Sequence, residues 1–155
     1  MNIPIIINGD RIMLQAEPDE KLIDVLRSLK LFSVKLGCAE GICGACTVLL
    51  NGNPVPACKV AVSLAMNQEI VTLEYFSKSE EYSYIAKGFA KAGIKLCGYC
   101  NSGKIFAAAQ ILKNRQKPSR TEIKKKIQHL SPCCTDIDTL TNGIIYAAEF
   151  NANSK

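Results

Sequence analysis

The residues most able to do chemistry in this 155-residue chain are its eight cysteines, which are clustered rather than evenly spread. Thiolates bind metals and carry out redox reactions, and in a reducing compartment clustered cysteines are metal ligands more often than disulfides. The cysteines are Cys38, Cys43, Cys46, Cys58, Cys97, Cys100, Cys133 and Cys134. Because the two halves of the chain each hold such a group, we expect one metal centre in each half.

The first group, Cys38, Cys43, Cys46 and Cys58, has the spacing of plant-type 2Fe-2S proteins. Its first three members read C-x4-C-x2-C, and Cys58 follows as a fourth thiolate. Two irons bridged by two sulfides need four thiolates that converge on one small cluster, so the loop has to wrap around it. Zinc sites usually present two C-x2-C pairs, and this group has only one, which makes zinc the less favoured alternative.

Three glycines, Gly37, Gly41 and Gly44, alternate with the cysteines of this first group. Glycine accepts positive φ angles and lets the backbone approach a cluster closely, and it leaves amide N–H groups free to point at the sulfurs. We therefore predict that these glycines line the first cluster. Hydrogen bonds of this kind, together with burial, tune the reduction potential of a cluster.

The first half of the chain is predicted to form a small mixed sheet crossed by one helix. A β-branched run, the Asn8-Gly9 turn signal and an alternating segment predict an N-terminal hairpin. A helix follows Pro18, with a core stripe of Leu22, Val25, Leu26 and Leu29. Asn51-Gly52-Asn53-Pro54 is predicted to end the third strand. The predicted strands cover residues 3–7, 11–16, 47–50 and 69–75.

The second half is predicted to be helical, after a polar linker over residues 77–83. Four amphipathic segments follow the linker and suggest a compact bundle. Their apolar stripes are Tyr84/Ile85/Phe89/Ala90, Ile105/Ala108/Ala109/Leu112, Ile123/Ile127 and Leu140/Ile144/Ile145/Ala148. Ser119 and Glu122 form a capping box that predicts the start of the third of these helices. We place the domain boundary between residues 77 and 78, giving domains 1–77 and 78–155.

Charge and hydropathy exclude several classes of function. Residues 1–76 hold 6 Lys/Arg against 8 Asp/Glu, whereas residues 77–155 hold 13 against 6. The basic second half lacks interleaved aromatic residues, so we interpret it as solvated helix surface and expect no nucleic-acid partner. No stretch approaches the ~18 to 20 apolar residues of a membrane span. The N-terminus has no basic leader, so we expect a cytoplasmic protein with no membrane partner.

The segment from Ser33 to Val48, with its short gap to Cys58, resembles the ferredoxin-like domain of the molybdenum hydroxylases, which include xanthine dehydrogenase, aldehyde oxidase and nicotinate dehydrogenase. A helical second half with its own cysteines is also typical of that family. The resemblance therefore spans nearly the whole chain and identifies it as similar to the small iron-sulfur subunit. It implies an α+β protein in which a β-grasp domain precedes an all-α four-helix bundle, each holding one 2Fe-2S cluster.

The second group of cysteines resembles the family pattern with departures. Cys97 and Cys100 precede a predicted helix, whose positive N-terminal end suits an anionic cluster, and the resemblance makes both of them ligands. The family's remaining C-R-C-T ligands correspond here to Pro132-Cys133-Cys134-Thr135. Cys134 then matches one ligand and proline replaces the other. Three outcomes stay open: Cys133 is the fourth ligand, the cluster is labile, or the site holds another metal or nothing.

Two further residues bear on the second site. Leu96 stands where the family usually has a glutamine that contacts the pterin of the large subunit, and leucine cannot make that hydrogen bond. His129 is the only histidine, and we interpret it as a helix-end residue favoured by the dipole rather than as a ligand. Coupling to a standard molybdopterin partner is therefore in question.

The sequence contains no Ser-His-Asp set, phosphate loop or dinucleotide fingerprint, so the chain is expected to perform no substrate chemistry itself. The resemblance implies that it carries electrons from a large molybdenum-pterin subunit to a medium FAD subunit of an oxidoreductase that hydroxylates a purine, another N-heterocycle or an aldehyde. One alternative is a free-standing redox carrier with a single working cluster and a degenerate second site. The least favoured alternative is a zinc-stabilised binding module.

Overall fold

The described residues, 1–37, 44–96, 101–114, 117–130 and 135–153, form a strand-rich first half and a helical second half in a computed structural model. The strands are β1 (Asn2–Ile7), β2 (Asp10–Gln15), β3 (Thr47–Leu50), β4 (Asn53–Pro56) and β5 (Glu69–Val71). The helices are α1 (Leu22–Ser28), α2 (Leu73–Phe76), α3 (Glu80–Lys91), α4 (Asn101–Asn114), α5 (Arg120–Ile127) and α6 (Ile137–Asn153). Short 3-10 helices cover Ala57–Lys59 and Val62–Ala65.

The predicted N-terminal hairpin is confirmed. β1 and β2 pair antiparallel, and the two turn residues, Asn8 and Gly9, have φ angles of 51° and 88°. Positive φ at both central positions is what a two-residue hairpin turn needs. Within the described residues the strands form one mixed sheet in the order β2-β1-β5-β3-β4, in which β1 and β5 run parallel. Helix α1 packs its buried residues into the core of this half.

Two details of the first half differ from the sequence-based expectation. Asn53 and Pro54, which were expected to end β3, are the first residues of the next strand, β4. The turn between the two strands is formed by Asn51 and Gly52, whose φ angles are 50° and 85°. Leu29 was expected in the core, but it lies just past the end of α1 and is 41% exposed. The helix ends early because the following residue, Lys30, turns the chain with a φ angle of 65°.

The expected strand over residues 69–75 is too long. β5 stops at Val71, and the chain then turns into α2 at Thr72. The side chain of Asn8 binds Thr72 twice, donating to the Thr72 hydroxyl and accepting from the Thr72 N–H, each at 2.9 Å. These bonds take the place of sheet hydrogen bonds at Thr72, so the chain is free to leave the sheet there.

The second half contains the four amphipathic helices that the sequence predicts, α3 to α6, with Ile123 and Ile127 fully buried on α5. The expected linker is shorter than 77–83, because α3 already begins at Glu80. The Ser79 hydroxyl accepts the Tyr82 N–H at 3.2 Å and caps that helix. The Ser119 hydroxyl likewise accepts the Glu122 N–H, as the capping box predicts. The α+β architecture of a β-grasp unit and a helical bundle is thus confirmed.

Glycine allows α3 and α6 to pack closely. A Cβ atom added to Gly88 would lie 2.3 Å from the backbone nitrogen of Ala147 and 2.6 Å from the carbonyl oxygen of Gly143. No side chain fits in that space, so these two helices touch through their backbones. The apolar faces of the helices meet in one core, which also contains Phe76. The ring of Phe76 packs edge-on against that of Phe106, with the ring centroids 5.2 Å apart.

The two halves contact each other through α4, which packs against β3 and β4. Leu49 and Val71, both from the sheet, pack against the helical core. The boundary between residues 77 and 78 stays a prediction. None of the described helices is both long and apolar enough to cross a membrane.

Candidate metal centres

Cys46 and Cys58 of the first group lie side by side. Cys46 directly precedes β3 and Cys58 follows β4, so the β3–β4 hairpin brings the two residues together. The Cys58 N–H donates to Cys46 Sγ over 3.5 Å. Both residues are buried in the core, 2% and 1% exposed. Two neighbouring cysteine sulfurs of this kind are suited to bind one metal centre.

The ends of the first cysteine loop are tied together by the backbone. The Lys35 N–H, just before the loop, donates to the carbonyl oxygen of Ala45 at 3.0 Å. Gly44 has a φ angle of 77°, and its carbonyl oxygen accepts the Thr47 hydroxyl at 2.8 Å. Gly37 is exposed at the other end of the loop. The positive φ expected for a lining glycine is therefore observed at Gly44.

Several predicted site residues lie outside the described residues. They are Cys38, Gly41, Cys43, Cys97, Cys100, Cys133 and Cys134. Their roles as ligands or lining residues stay predictions, as do those of Cys46, Cys58, Gly37 and Gly44. Within the described ranges, no three His, Cys, Asp or Glu residues gather as a metal site would require.

The residues that precede the first loop are anchored to α2 by Glu74. The Ser33 N–H donates to Glu74 Oε2 at 2.9 Å, and the Ser33 hydroxyl donates to Oε1. Burial alone would raise the pKa of Glu74, but the hydrogen bonds from the Ser33 hydroxyl and N–H outweigh it and hold this pKa below its usual value. The ionised Glu74 therefore holds the segment that leads into the loop.

The start of α4 touches the first cysteine loop. The Ser102 hydroxyl lies 3.3 Å from the carbonyl oxygens of both Gly44 and Ala45 and donates to them. A Cβ atom on Gly44 would lie 3.3 Å from the Cα atom of Gly103. Because α4 begins directly after Cys100, this contact joins the residues that flank the two groups of cysteines.

A cavity of about 170 Å³ marks where the flanking residues meet. Its lining includes Gly44 after the first loop, Gly103 after Cys100, and Leu130 before the segment that holds Cys133 and Cys134. The described residues next to all three cysteine segments thus surround one small space. His129 lies exposed on the same lining, just beyond the end of α5. Its interpretation as a helix-end residue stays a prediction.

Leu96 lies in apolar surroundings. It packs against the helical core and lines a cavity of about 200 Å³ with Ile85, Phe89 and Ile105. A glutamine at this position would bring an amide into a mainly aliphatic environment, where an unpaired polar group is costly. The apolar packing around position 96 therefore suits the leucine present here better than the glutamine that the family usually has.

The described thiol pair fits an iron-sulfur cluster, but thiolates suit zinc as well. Comparison with known proteins distinguishes an iron-sulfur cluster from a zinc site. Residues 5–70 match a family described as a 2Fe-2S iron-sulfur cluster binding domain, and residues 72–145 match a [2Fe-2S] binding domain. The chain is 36% identical to the nicotinate dehydrogenase small FeS subunit of Eubacterium barkeri, with 95% of this chain and 94% of that protein covered.

This chain belongs to the iron-sulfur subunits of the molybdenum hydroxylase family. The xanthine dehydrogenase iron-sulfur-binding subunit of Escherichia coli O157:H7 is 38% identical, over 90% of this chain and 89% of its own length. In structure the subunit resembles quinoline 2-oxidoreductase from Pseudomonas putida 86, with a TM-score of 0.87, 31% identity, and coverage of 99% and 96% of the two chains.

Membership confirms several expectations for this iron-sulfur subunit. Two 2Fe-2S-binding domains follow each other along the chain, so its cofactors are two 2Fe-2S clusters. The zinc module is not supported. Because the related proteins are subunits of oxidoreductases, this subunit serves electron transfer within an enzyme of that kind.

Sequence reasoning missed three residues of the iron-sulfur subunit. Glu74 and Ser102 act through contacts with residues 41 and 57 or 58 positions away, which no local pattern reveals. Lys104 is 2% exposed in α4. A signal for it was present, because Lys104 stands on the same helix face as the apolar Ala108 and Ile111.

Proposed function

We propose that this subunit relays single electrons from a large molybdenum-pterin subunit to a medium FAD subunit. The observation that carries the proposal is that both halves match 2Fe-2S domains and that Gly44 and Gly103, which flank their cysteines, are in contact. This contact supports two centres that lie near each other, as a relay of electrons between them requires. A 2Fe-2S cluster supplies the capacity to take up and release one electron at a time.

The chain's own residues bind each cluster and shield it from water. For the first cluster we propose the ligands Cys38, Cys43, Cys46 and Cys58, of which the last two are buried in the core. Gly37, Gly41 and Gly44 give the loop its close wrap, and the Cys58 N–H donates to Cys46 Sγ. Hydrogen bonds to sulfur and the exclusion of water set the reduction potential.

For the second cluster we propose the ligands Cys97, Cys100, Cys134 and, as a replacement for the family ligand that Pro132 displaces, Cys133. The loss of one thiolate beside the gain of another supports this assignment. Adjacent cysteines reach one metal only if the backbone twists between them, since neighbouring side chains diverge in extended chain. The buried Thr135 and Leu130 fix both ends of this short segment.

The substrate is proposed to be an N-heterocycle, a purine or an aldehyde that the large subunit hydroxylates with oxygen from water. Relatives named for nicotinate, xanthine and aldehyde span this range. Leu96 offers no hydrogen bond to a pterin, so the large subunit is proposed to make up that contact itself. We place the complex in the cytoplasm, with no nucleic-acid or membrane partner.

Affinity purification of the tagged full-length chain from its native host, followed by molybdenum and flavin analysis, tests the proposed function. We expect a large and a medium subunit to co-purify, with molybdenum in one and FAD in the other. Recovery of the chain as a monomer with iron but without molybdenum or flavin would overturn this proposal. That result would favour the free-standing carrier instead.

A further inference from the structure

Arg27 lies in the last turn of α1 and reaches the segment that leads into the first cysteine loop. Its Nη1 atom donates to the carbonyl oxygen of Val34 at 2.7 Å, seven residues further along the chain. Its guanidinium carbon also lies 5.4 Å from the centroid of the Phe32 ring, within the range of a cation–π interaction. One arginine side chain therefore holds two residues of this segment.

The Val34 carbonyl oxygen needs the donor that Arg27 supplies. Val34 is 1% exposed, so its backbone is shielded from water. A buried carbonyl oxygen without a hydrogen bond is costly, and a charged donor makes a stronger bond than a neutral one. A lysine could donate one hydrogen bond here, but it lacks the planar guanidinium that stacks on a ring as well.

The residues on either side of position 34 are held as well. The Ser33 N–H donates to Glu74 of α2. The Lys35 N–H donates to the carbonyl oxygen of Ala45 at 3.0 Å, and Ala45 directly precedes Cys46. A continuous series of contacts between described residues thus runs from α1, through this segment, to the neighbour of a proposed cluster ligand.

We infer that Arg27 is a positioning residue for the first cluster, because it fixes the path of the chain into the first cysteine loop. The inference rests on the proposed ligands of that cluster. Arg27 acts through Val34 and Lys35, which close the base of the loop. Local opening exposes buried groups without unfolding the whole protein. Loss of the Arg27 side chain is therefore expected to make the first cluster more labile and to leave the second cluster unchanged.

The test measures iron release to a chelator from wild type and Arg27→Met, each as the full-length protein, anaerobically purified in the complex in which it is isolated. Methionine keeps an aliphatic stem and removes the guanidinium. We expect the first cluster to release its iron about tenfold faster, which corresponds to an opening that is easier by about 1.4 kcal/mol. Its electron paramagnetic resonance signal, identified as the one that Cys58→Ala lacks, is expected to broaden.

Three matched variants serve as controls. Arg27→Lys keeps the charge and one donor, and its release rate is expected to lie between those of wild type and Arg27→Met. Arg11→Met removes an exposed arginine on β2 and should leave both clusters unchanged. Ile5→Val trims a fully buried side chain on β1, and so shows how much iron release follows from lower global stability alone.

If Arg27→Met does not fold, Arg27→Gln removes the charge with a smaller change in polarity. Absence of the first cluster from either of these variants, but not from Arg27→Lys or the other two controls, also supports the inference. The second cluster reports on the helical half in every variant, so a change confined to the first cluster assigns the effect to the first cysteine loop.

Three results would overturn the inference and leave the proposed function standing. The first is release no faster than in Ile5→Val, together with an unchanged first signal. The second is equal acceleration for both clusters, which would indicate global destabilisation. The third is an Arg27→Lys protein as impaired as Arg27→Met, which would exclude the hydrogen bond to Val34 as the cause. A Cys58→Ala protein that keeps both signals would instead overturn the proposed ligands, and this inference with them.

Discussion

Gly103 and Gly44 touch through their backbones at the junction of the two halves. A Cβ atom added to Gly103 would lie 2.9 Å from both the Cα atom and the carbonyl oxygen of Gly44. Only glycine at position 103 allows this approach. Gly44 lies between Cys43 and Cys46, and Gly103 lies three residues after Cys100, so the contact joins described residues next to both groups of cysteines.

Gly103→Ala is expected to lower the free energy of unfolding by about 1 to 3 kcal/mol, because the added methyl group overpacks against backbone that cannot move aside. Urea denaturation followed by circular dichroism measures the change. Lys113→Ala, an exposed substitution on the same helix, serves as control and should stay within about 0.5 kcal/mol of wild type. Equal stabilities for Gly103→Ala and Lys113→Ala would show that the contact is not tight.

Ser102→Ala removes the hydroxyl that donates to the carbonyl oxygens of Gly44 and Ala45. We expect a loss of about 1 kcal/mol, near the average for one hydrogen bond, because both carbonyl oxygens keep backbone donors. Ser77→Ala, which removes an exposed hydroxyl bonded locally to Glu74, is the control. A Ser102→Ala protein as stable as this control would contradict a stabilising role for the contact.

The ionised Glu74 is predicted to make stability depend on pH. Its pKa is lower in the folded protein than the ordinary 4.5, so its contribution is complete above that value and is lost as the pH falls through the lowered folded pKa. Glu74→Gln should therefore cost about 1 kcal/mol near neutral pH, a small figure because the carboxylate is half-exposed. Below about pH 4 the difference from wild type should shrink.

Unfolding free energies of wild type and Glu74→Gln, measured in urea across that pH range, check this prediction. Glu69→Gln, an exposed carboxylate on β5, controls for the general effect of removing a charge. A difference between wild type and Glu74→Gln that stays constant down to low pH would mean that the Ser33 hydrogen bonds do not depend on the ionised carboxylate.

A structural feature can be predicted from the sequence when the residues that cause it are neighbours along the chain. Asn8-Gly9 predicts its own turn, because positive φ is a property of those two residues. The end of β5 just before Thr72 was not predictable, since it depends on hydrogen bonds between Thr72 and Asn8, which is 64 positions away. The cysteine spacing predicted the cluster type without any structure. Helical spacing places Lys104 on the same face as the apolar Ala108 and Ile111, but the extent of its burial results from the packing of separate helices.

Cys58→Ala is predicted to remove the first cluster and leave the second. The chain should then hold about half the iron of wild type, because each 2Fe-2S cluster contributes two irons. Iron analysis together with visible absorption measures this loss. Ser63→Ala, in the next 3-10 helix, is the control and should keep all its iron. A Cys58→Ala protein with full iron content would remove Cys58 from the proposed ligands.

The central claim is that this chain holds two 2Fe-2S clusters and exchanges electrons through both. Iron and sulfide quantification of the anaerobically purified protein, with electron paramagnetic resonance after reduction, tests it most directly. The account predicts about four irons and about four sulfides per chain, with two distinguishable reduced signals. About two irons with one signal, or zinc in a colourless protein, would contradict it.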